Sequence, residues 1–209
     1  MSFVPTFVYQ KGIISMLVLT LDESTEQSIC FDDCLRGMVA TINEAYVFEG
    51  HFKADPRRIV NGIDQLKHEI SQEGVFTVLY QDEMDGFNTG ELPEVVDLSK
   101  IVGLVKTRRL DEQRLYLGML TVSVNQQGKG YGKYLLENVT KLAKEGNYTI
   151  IELLVINLNP HLLTAYSKLK YIIIDMFWWG DMYSTDILKP ELREKNKVLF
   201  IKMQKSLVN

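Results

Sequence analysis

The chain has 209 residues, 46% of them hydrophobic, and a formal charge of -4 at neutral pH. That length and apolar content suit one sizeable core, and no Pro-rich tract or long polar linker divides it, so a single domain over residues 1–209 is expected. The acidic balance sets nucleic acid aside as a partner, and apolar runs such as Ile13–Leu21 fall short of the roughly 20 residues that span a bilayer. In chain order, residues 12–21 read as a strand, and residues 33–47 and 55–71 carry apolar residues at helical spacing, the second opened by Asp55 as N-cap with Pro56 at the first helical position. Residues 75–80, 101–107 and 115–124 are rich in β-branched and aromatic residues and predict strands, the last two joined by the polar segment 108–114 as an antiparallel meander. A glycine loop, a helix over about 130–145, a strand over 149–156 and a helix after Pro160 follow. Two strands near 171–179 and 198–205 complete the order. The strand, helix and strand spanning 115–156 suit a right-handed parallel crossover.

The titratable residues give little on their own. Cys30 and Cys34 suit neither a disulfide framework nor a zinc site and read as small core residues. His51, His68 and His161 show no metal-ligand spacing, so no metal is expected. No basic n-region precedes an apolar stretch, and a soluble cytoplasmic protein is expected, with the nucleus left open. The segment 81–98 carries six acids and no Lys or Arg. It joins strands expected to run antiparallel, which puts it at the same end as residue 124, and it reads as a solvated loop rather than a cation funnel.

The densest signal is VNQQGKGYGKYLLENV, residues 124–139. Gly128, Gly130 and Gly132 stand between a strand end and a helix start, where bare backbone lets N–H groups converge at the positive end of a helix dipole. That arrangement suits a phosphate cradle, and a direction-changing turn remains the other reading at this point. A Walker loop is not matched, because Tyr131 follows Gly130, and the dinucleotide pattern fails at Lys133.

Gln127-Gly-Lys-Gly130-Tyr-Gly132, after the strand Met119–Val124, resembles the Q/R-x-x-G-x-G/A pyrophosphate motif of the GNAT superfamily of acetyl-CoA-dependent N-acetyltransferases. Asn159-Pro-His-Leu-Leu-Thr-Ala-Tyr166-Ser-Lys168-Leu-Lys-Tyr171 is similar to the same family's N-x6-Y-x-K-x-G-F segment. The resemblance is specific over about 114–172. It implies an α/β GNAT fold: a mixed, mostly antiparallel central sheet of about seven strands flanked by helices, with a strand–helix–strand core that binds CoA. Three positions depart from the pattern: Val124 replaces a frequent proline, Lys170 a glycine, and Tyr116 the glutamate that many members use as general base.

Residue by residue, the resemblance implies that backbone groups of Leu120, Thr121 and Val122 meet the pantetheine and acetyl end of acetyl-CoA, where the strand bulges and stops pairing with its neighbour. The amides of Gln127, Gly128, Lys129, Gly130, Tyr131, Gly132 and Lys133 would hold the pyrophosphate. Asn159 would bond the cofactor, and Tyr166 would offer its phenol to the departing sulfur. Glu44 and Asp181 lie in segments that line the acceptor side in the proteins this one resembles, yet each reads first as a solvated surface charge. In Phe177-Trp178-Trp179, alternation lets at most one face line an acceptor pocket, and core packing is an equal or better reading. The function implied is acetyl transfer to a primary amine in a ternary complex. With no appended domain and no evident peptide-binding module, a small-molecule amine comes first and a protein lysine or N-terminus second. A catalytically inactive acyl-CoA-binding module is the reading from another class, and a homodimer is left open.

Overall fold

A computed structural model describes residues 8–11, 14–26, 31–46, 58–82 and 97–208. Alternating and β-branched runs form eight strands, β1 (Val8–Lys11), β2 (Ile14–Leu21), β3 (Gly74–Asp82), β4 (Ile101–Arg109), β5 (Arg114–Val122), β6 (Ile150–Ile156), β7 (Ile172–Trp178) and β8 (Leu199–Ser206). Among the described residues, segments with 3.6-residue periodicity form four α-helices, α1 (Phe31–Tyr46), α2 (Ile63–Ser71), α3 (Tyr131–Glu145) and α4 (Pro160–Lys168). The hydrogen-bonded strand order is β1-β2-β3-β4-β5-β6-β8-β7. β1 adds one strand to the about seven expected. Its four residues, VYQK, are too few for alternation to stand out. The fold is the mixed α/β sheet implied by the resemblance, with β5 parallel to β6 and antiparallel pairs at β1–β2, β2–β3, β3–β4, β6–β8 and β7–β8.

The chain divides into two compact units. The first comprises residues 1–48, 57–108 and 119–139. Its core joins Leu19 and Leu21 of β2, Phe76 and Val78 of β3, and Leu104 of β4 to Leu35, Met38 and Ile42 of α1 and Leu66 and Ile70 of α2. Cys34 is buried in the same cluster, as expected for a small core residue, whereas Cys30 lies outside the described residues. The predicted helix over 55–71 begins only at Ile63, and Asp55 and Pro56 lie outside the described residues. Gly62, at φ 61° and ψ -142°, stands outside helical geometry directly before the helix, and upstream of it Ile59 is held from 16 residues away. The Asn43 amide accepts the Ile59 N–H at 2.8 Å and donates to the Ile59 carbonyl at 3.0 Å, so both backbone groups of Ile59 are taken before a helix can use them.

The second unit comprises residues 49–56, 109–118 and 140–209. Asp111 ties the turn before β5 by accepting an Arg114 guanidinium N–H and the backbone N–H groups of Gln113 and Arg114, bonds that hold its carboxyl below the usual carboxylate range. Glu152 on β6 is buried, with Oε1 bonded to Arg114 at 3.2 Å and Oε2 to Lys202 at 2.8 Å, so three strands share one ion triad.

α4 ends in a Schellman motif. The Tyr171 N–H donates to the Tyr166 carbonyl and the Lys170 N–H to the Ser167 carbonyl, both at 3.0 Å, with Lys170 at φ 70°. The left-handed conformation costs a lysine about 1–2 kcal/mol, against roughly 0.5–1 kcal/mol of extra chain entropy lost by glycine. Lys170→Gly is therefore expected to stabilise the protein by about 0.5–1 kcal/mol, read as a higher urea midpoint at unchanged m-value.

Tyr171, which closes this motif, is 2% exposed, and its hydroxyl has no hydrogen-bond partner among the described residues. Burial pushes its pKa up. The folded state thus favours the neutral phenol, so the stability is complete below the unfolded value of about 10 and declines as the pH climbs above it. Tyr171→Phe removes the orphaned hydroxyl. It is expected to raise stability by about 1 kcal/mol, a rise of roughly 2–4 °C in Tm, and to flatten the alkaline limb of a Tm-against-pH curve.

Candidate functional site

In the first unit the glycine loop and its flanking strand are built as one local structure. β5 carries a backbone irregularity at Met119, whose φ is 50°, and the Thr121 hydroxyl donates to the Met119 carbonyl at 3.1 Å. A non-glycine residue in that region inside a strand breaks the regular backbone alternation, as a bulge does. The residues that follow it are Leu120, Thr121 and Val122, the run expected to meet the acetyl end of the cofactor. The register of β5 with β6 runs from Arg114↔Ile150 to Leu117↔Leu153 and goes no further, in keeping with the expected loss of pairing. On the other side the Ser123 N–H donates to the Val102 carbonyl at 2.8 Å. A Cβ on Gly103 would lie 2.7 Å from the Thr121 carbonyl oxygen, so a bare residue in β4 is what lets the two backbones meet there.

After β5 the chain makes a short 3-10 turn over Val124–Gln126. The Gln127 side-chain amide donates back to the Val122 carbonyl at 3.2 Å, and the Lys129 ammonium donates to Gln126 Oε1 at 2.8 Å. Gly128 and Gly130 then take φ values of 75° and 91°, a region open to glycine and costly for other residues. This turns the chain into α3, whose first ladder bond is the Tyr134 N–H to the Gly130 carbonyl at 3.0 Å. The N–H groups of Tyr131, Gly132 and Lys133 open the helix and have no intrahelical acceptor. Residues 127–130 are exposed, and a Cβ on Gly128 would meet nothing within 4 Å. An exposed loop with positive-φ glycines running into a helix N-terminus has the build of an anion cradle and the room for one. Tyr131 is the buried anchor of this turn, at 7% exposure.

The remaining predicted residues lie in the second unit. Asn159 is buried at the N-cap of α4, where its carbonyl accepts the N–H groups of Leu162 and Leu163 while its side chain makes no capping bond. Pro160 occupies the first helical position, as its missing N–H allows. Tyr166, in the last turn of α4, is also buried, its ring edge-on to that of Tyr171 at 5.6 Å with 70° between planes. Tyr116 is half-buried, and its ring lies against Gly118 on the same face of β5.

The other residues weighed from the sequence sort cleanly. Glu44 and Asp181 are exposed, as the surface-charge reading has it. Trp179 stacks on Phe200 at 5.0 Å and 14° in a cluster with Leu188 and Val198, which is core packing. Its indole N–H donates to the Ser184 carbonyl at 3.2 Å. β3 and β4 are antiparallel, as expected for the strands that the acidic segment joins, but residues 83–96 of that segment lie outside the described residues, as does His51. Among the described residues no group of three or more His, Cys, Asp and Glu side chains could hold a metal ion, and no helix is long and apolar enough to cross a membrane. Sequence reasoning missed Met119, a residue type with no preference for positive φ. The one signal for it was Gly118 immediately before it inside a strand.

Comparison with known proteins bears on this arrangement. A family model described as "Acetyltransferase (GNAT) family" matches residues 60–171, more than half of the chain. Among solved structures, an N-acetyltransferase from Staphylococcus aureus Mu50 superposes with a TM-score of 0.62 at 14% identity, covering 93% of this chain and 99% of that one. An aminoglycoside 6'-N-acetyltransferase complexed with coenzyme A superposes at 0.57 with 13% identity over 92% and 97% of the two chains. A Bacillus subtilis acetyltransferase in complex with CoA does so at 0.51 with 17% identity over 69% and 84%. At such identities these likenesses speak for the fold. No curated protein sequence matches.

Proposed function

The chain belongs to the GNAT acetyltransferase family, and we propose that it acts as one domain over residues 1–209, transferring the acetyl group of acetyl-CoA to a primary amine of a small molecule by direct attack in a ternary complex. The observation that carries the donor half of this reading is the loop from Gln127 to Lys133, with Gly128 and Gly130 at positive φ and α3 opening behind them. In this reading the amides of Gln127, Gly128, Lys129, Gly130, Tyr131, Gly132 and Lys133 hold the pyrophosphate of the donor. The amides of Leu120, Thr121 and Val122, which follow the irregularity at Met119, hold its pantetheine and thioester end. One of them bonds the thioester oxygen as negative charge develops on it, an effect worth roughly 3 kcal/mol per donor in other enzymes. Asn159 bonds the donor and Tyr166 offers its phenol to the sulfur.

Acetyl transfer is the family's chemistry; the acceptor is the inferred part. An alkylamine with a pKa of about 10.4 is almost wholly protonated at neutral pH, so a proton leaves it before attack. The aminoglycoside named for one structure of this fold is a small polyamine, which makes polyamines and amino sugars the first acceptors to try. The test is a screen of small amines and lysine-containing or N-terminal peptides with acetyl-CoA, reporting free thiol. Small amines are expected to release CoA stoichiometrically with N-acetyl product. Turnover confined to peptides overturns the small-molecule assignment. Saturable acetyl-CoA binding without thiol release from any acceptor points to a binding module in place of an enzyme.

A further inference from the structure

β7 ends the strand order with β8 on one side, and among the described residues no strand pairs with its other side. Its side chains are apolar for so open a position: Ile172, Ile173, Ile174 and Met176 are 60%, 52%, 41% and 58% exposed. An edge of that kind presents outward N–H and C=O groups and is a template for another strand. The same edge on a second copy is the complement present in any solution of the protein, because antiparallel pairing about a two-fold axis sets the edge against itself.

Two features oppose that pairing. The register with β8 shifts between Ile173 and Asp175, leaving Ile174 as an extra residue that breaks the regular spacing of the edge. Beyond the shift, the pairs Asp175↔Lys202 and Phe177↔Phe200 lead on to the Trp179 N–H, which donates to the Val198 carbonyl at 2.9 Å. By alternation the N–H groups of residues 175, 177 and 179 face β8 and that of Met176 faces outward. That outward donor is occupied, because Asp175 Oδ1 accepts it at 2.8 Å.

We propose that Asp175, with the Ile174 bulge beside it, guards the β7 edge against pairing with the β7 of a second copy. An incoming strand has to displace the Asp175 side-chain oxygen from the Met176 N–H before it can use that donor. The proposal stands on the edge geometry and is independent of the acceptor chemistry above.

Two substitutions at this exposed position separate the hydrogen bond from the charge. Asp175→Ala removes the acceptor, while Asp175→Asn keeps a side-chain carbonyl oxygen in its place and removes the charge. Light scattering over a concentration series gives the mass, and hydrogen exchange of peptides covering 172–178 reports whether the outward amides are paired. Asp175→Ala is expected to double the wild-type mass as concentration rises, with exchange slowed in those peptides. Asp175→Asn and the wild type are expected to keep the wild-type mass and fast exchange there. An Ala variant that behaves as the wild type overturns the proposal. So does association of the Asn variant to the same extent as Ala, or concentration-dependent protection of β7 in the wild type.

Discussion

Tyr166→Phe is expected to lower turnover on the order of 10²-fold, the loss typical of a removed acid catalyst, with affinity for CoA nearly unchanged. Phenylalanine keeps the ring and with it the edge-on contact to Tyr171 at 5.6 Å, so the substitution takes away only the hydroxyl. A phenol with a pKa of about 10 and a free thiol with one of about 8.5 make full proton transfer to a thiolate unfavourable at their ordinary values. The hydroxyl is therefore expected to act chiefly as a hydrogen-bond donor to sulfur as the C–S bond breaks, an interaction stronger in the transition state than in the ground state. The competing account makes Tyr166 a core aromatic at the end of α4, which its burial also suits. Measuring kcat with a productive amine and CoA affinity by calorimetry on the same folded variant separates the two. An unchanged kcat in a chemistry-limited assay removes Tyr166 from the mechanism.

The second large effect concerns the loop. Gly130→Glu is expected to raise the dissociation constant for CoA roughly 100-fold, equivalent to about 2.7 kcal/mol. It brings negative charge to a cradle whose proposed ligand is a diphosphate, and it forces a side chain onto a residue at φ 91°. Gly130→Asn separates those causes, since asparagine tolerates positive φ better than most residues and carries no charge. A modest loss for Asn beside a large one for Glu assigns the effect to charge at the phosphate position. Calorimetric titration of CoA is the measurement, and a Glu variant that binds as tightly as the wild type takes the cradle away from residues 127–133.

Most elements between residues 74 and 206 were legible in the sequence because each carries its own local signal. β5, α3 and β6 announce themselves as an apolar β-branched run, a glycine punctuation with a 3.6-residue stripe, and a second apolar run, and their order suits the parallel crossover formed by β5 and β6. Pro160 marks the start of α4, and the lysine in its last turn and the aromatic after it mark the end. The loop was legible for the same reason: glycine is the residue whose backbone preference can be read without knowing its neighbours.

What the tertiary structure alone decided has the opposite character, since each case depends on groups far apart in the chain. The amide of Asn43 holds both backbone groups of Ile59, and α2 opens at Ile63 behind Gly62, neither of which the local spacing over 58–62 announces. Glu152 reads as one charged residue in an apolar strand until β8 and the start of β5 bring Lys202 and Arg114 to its two oxygens. Met119 has no intrinsic preference for the left-handed region, so its φ of 50° inside β5 could not be read from the residue type. Composition, periodicity and turn chemistry report energies local to a few residues, and these determined the element types and the loop, while the family was legible only through the resemblance of the segments 127–132 and 159–171 to known motifs. Pairing across strands and burial of charge are set by contacts of high sequence separation, whose energies no local pattern contains, and only the folded sheet could decide them.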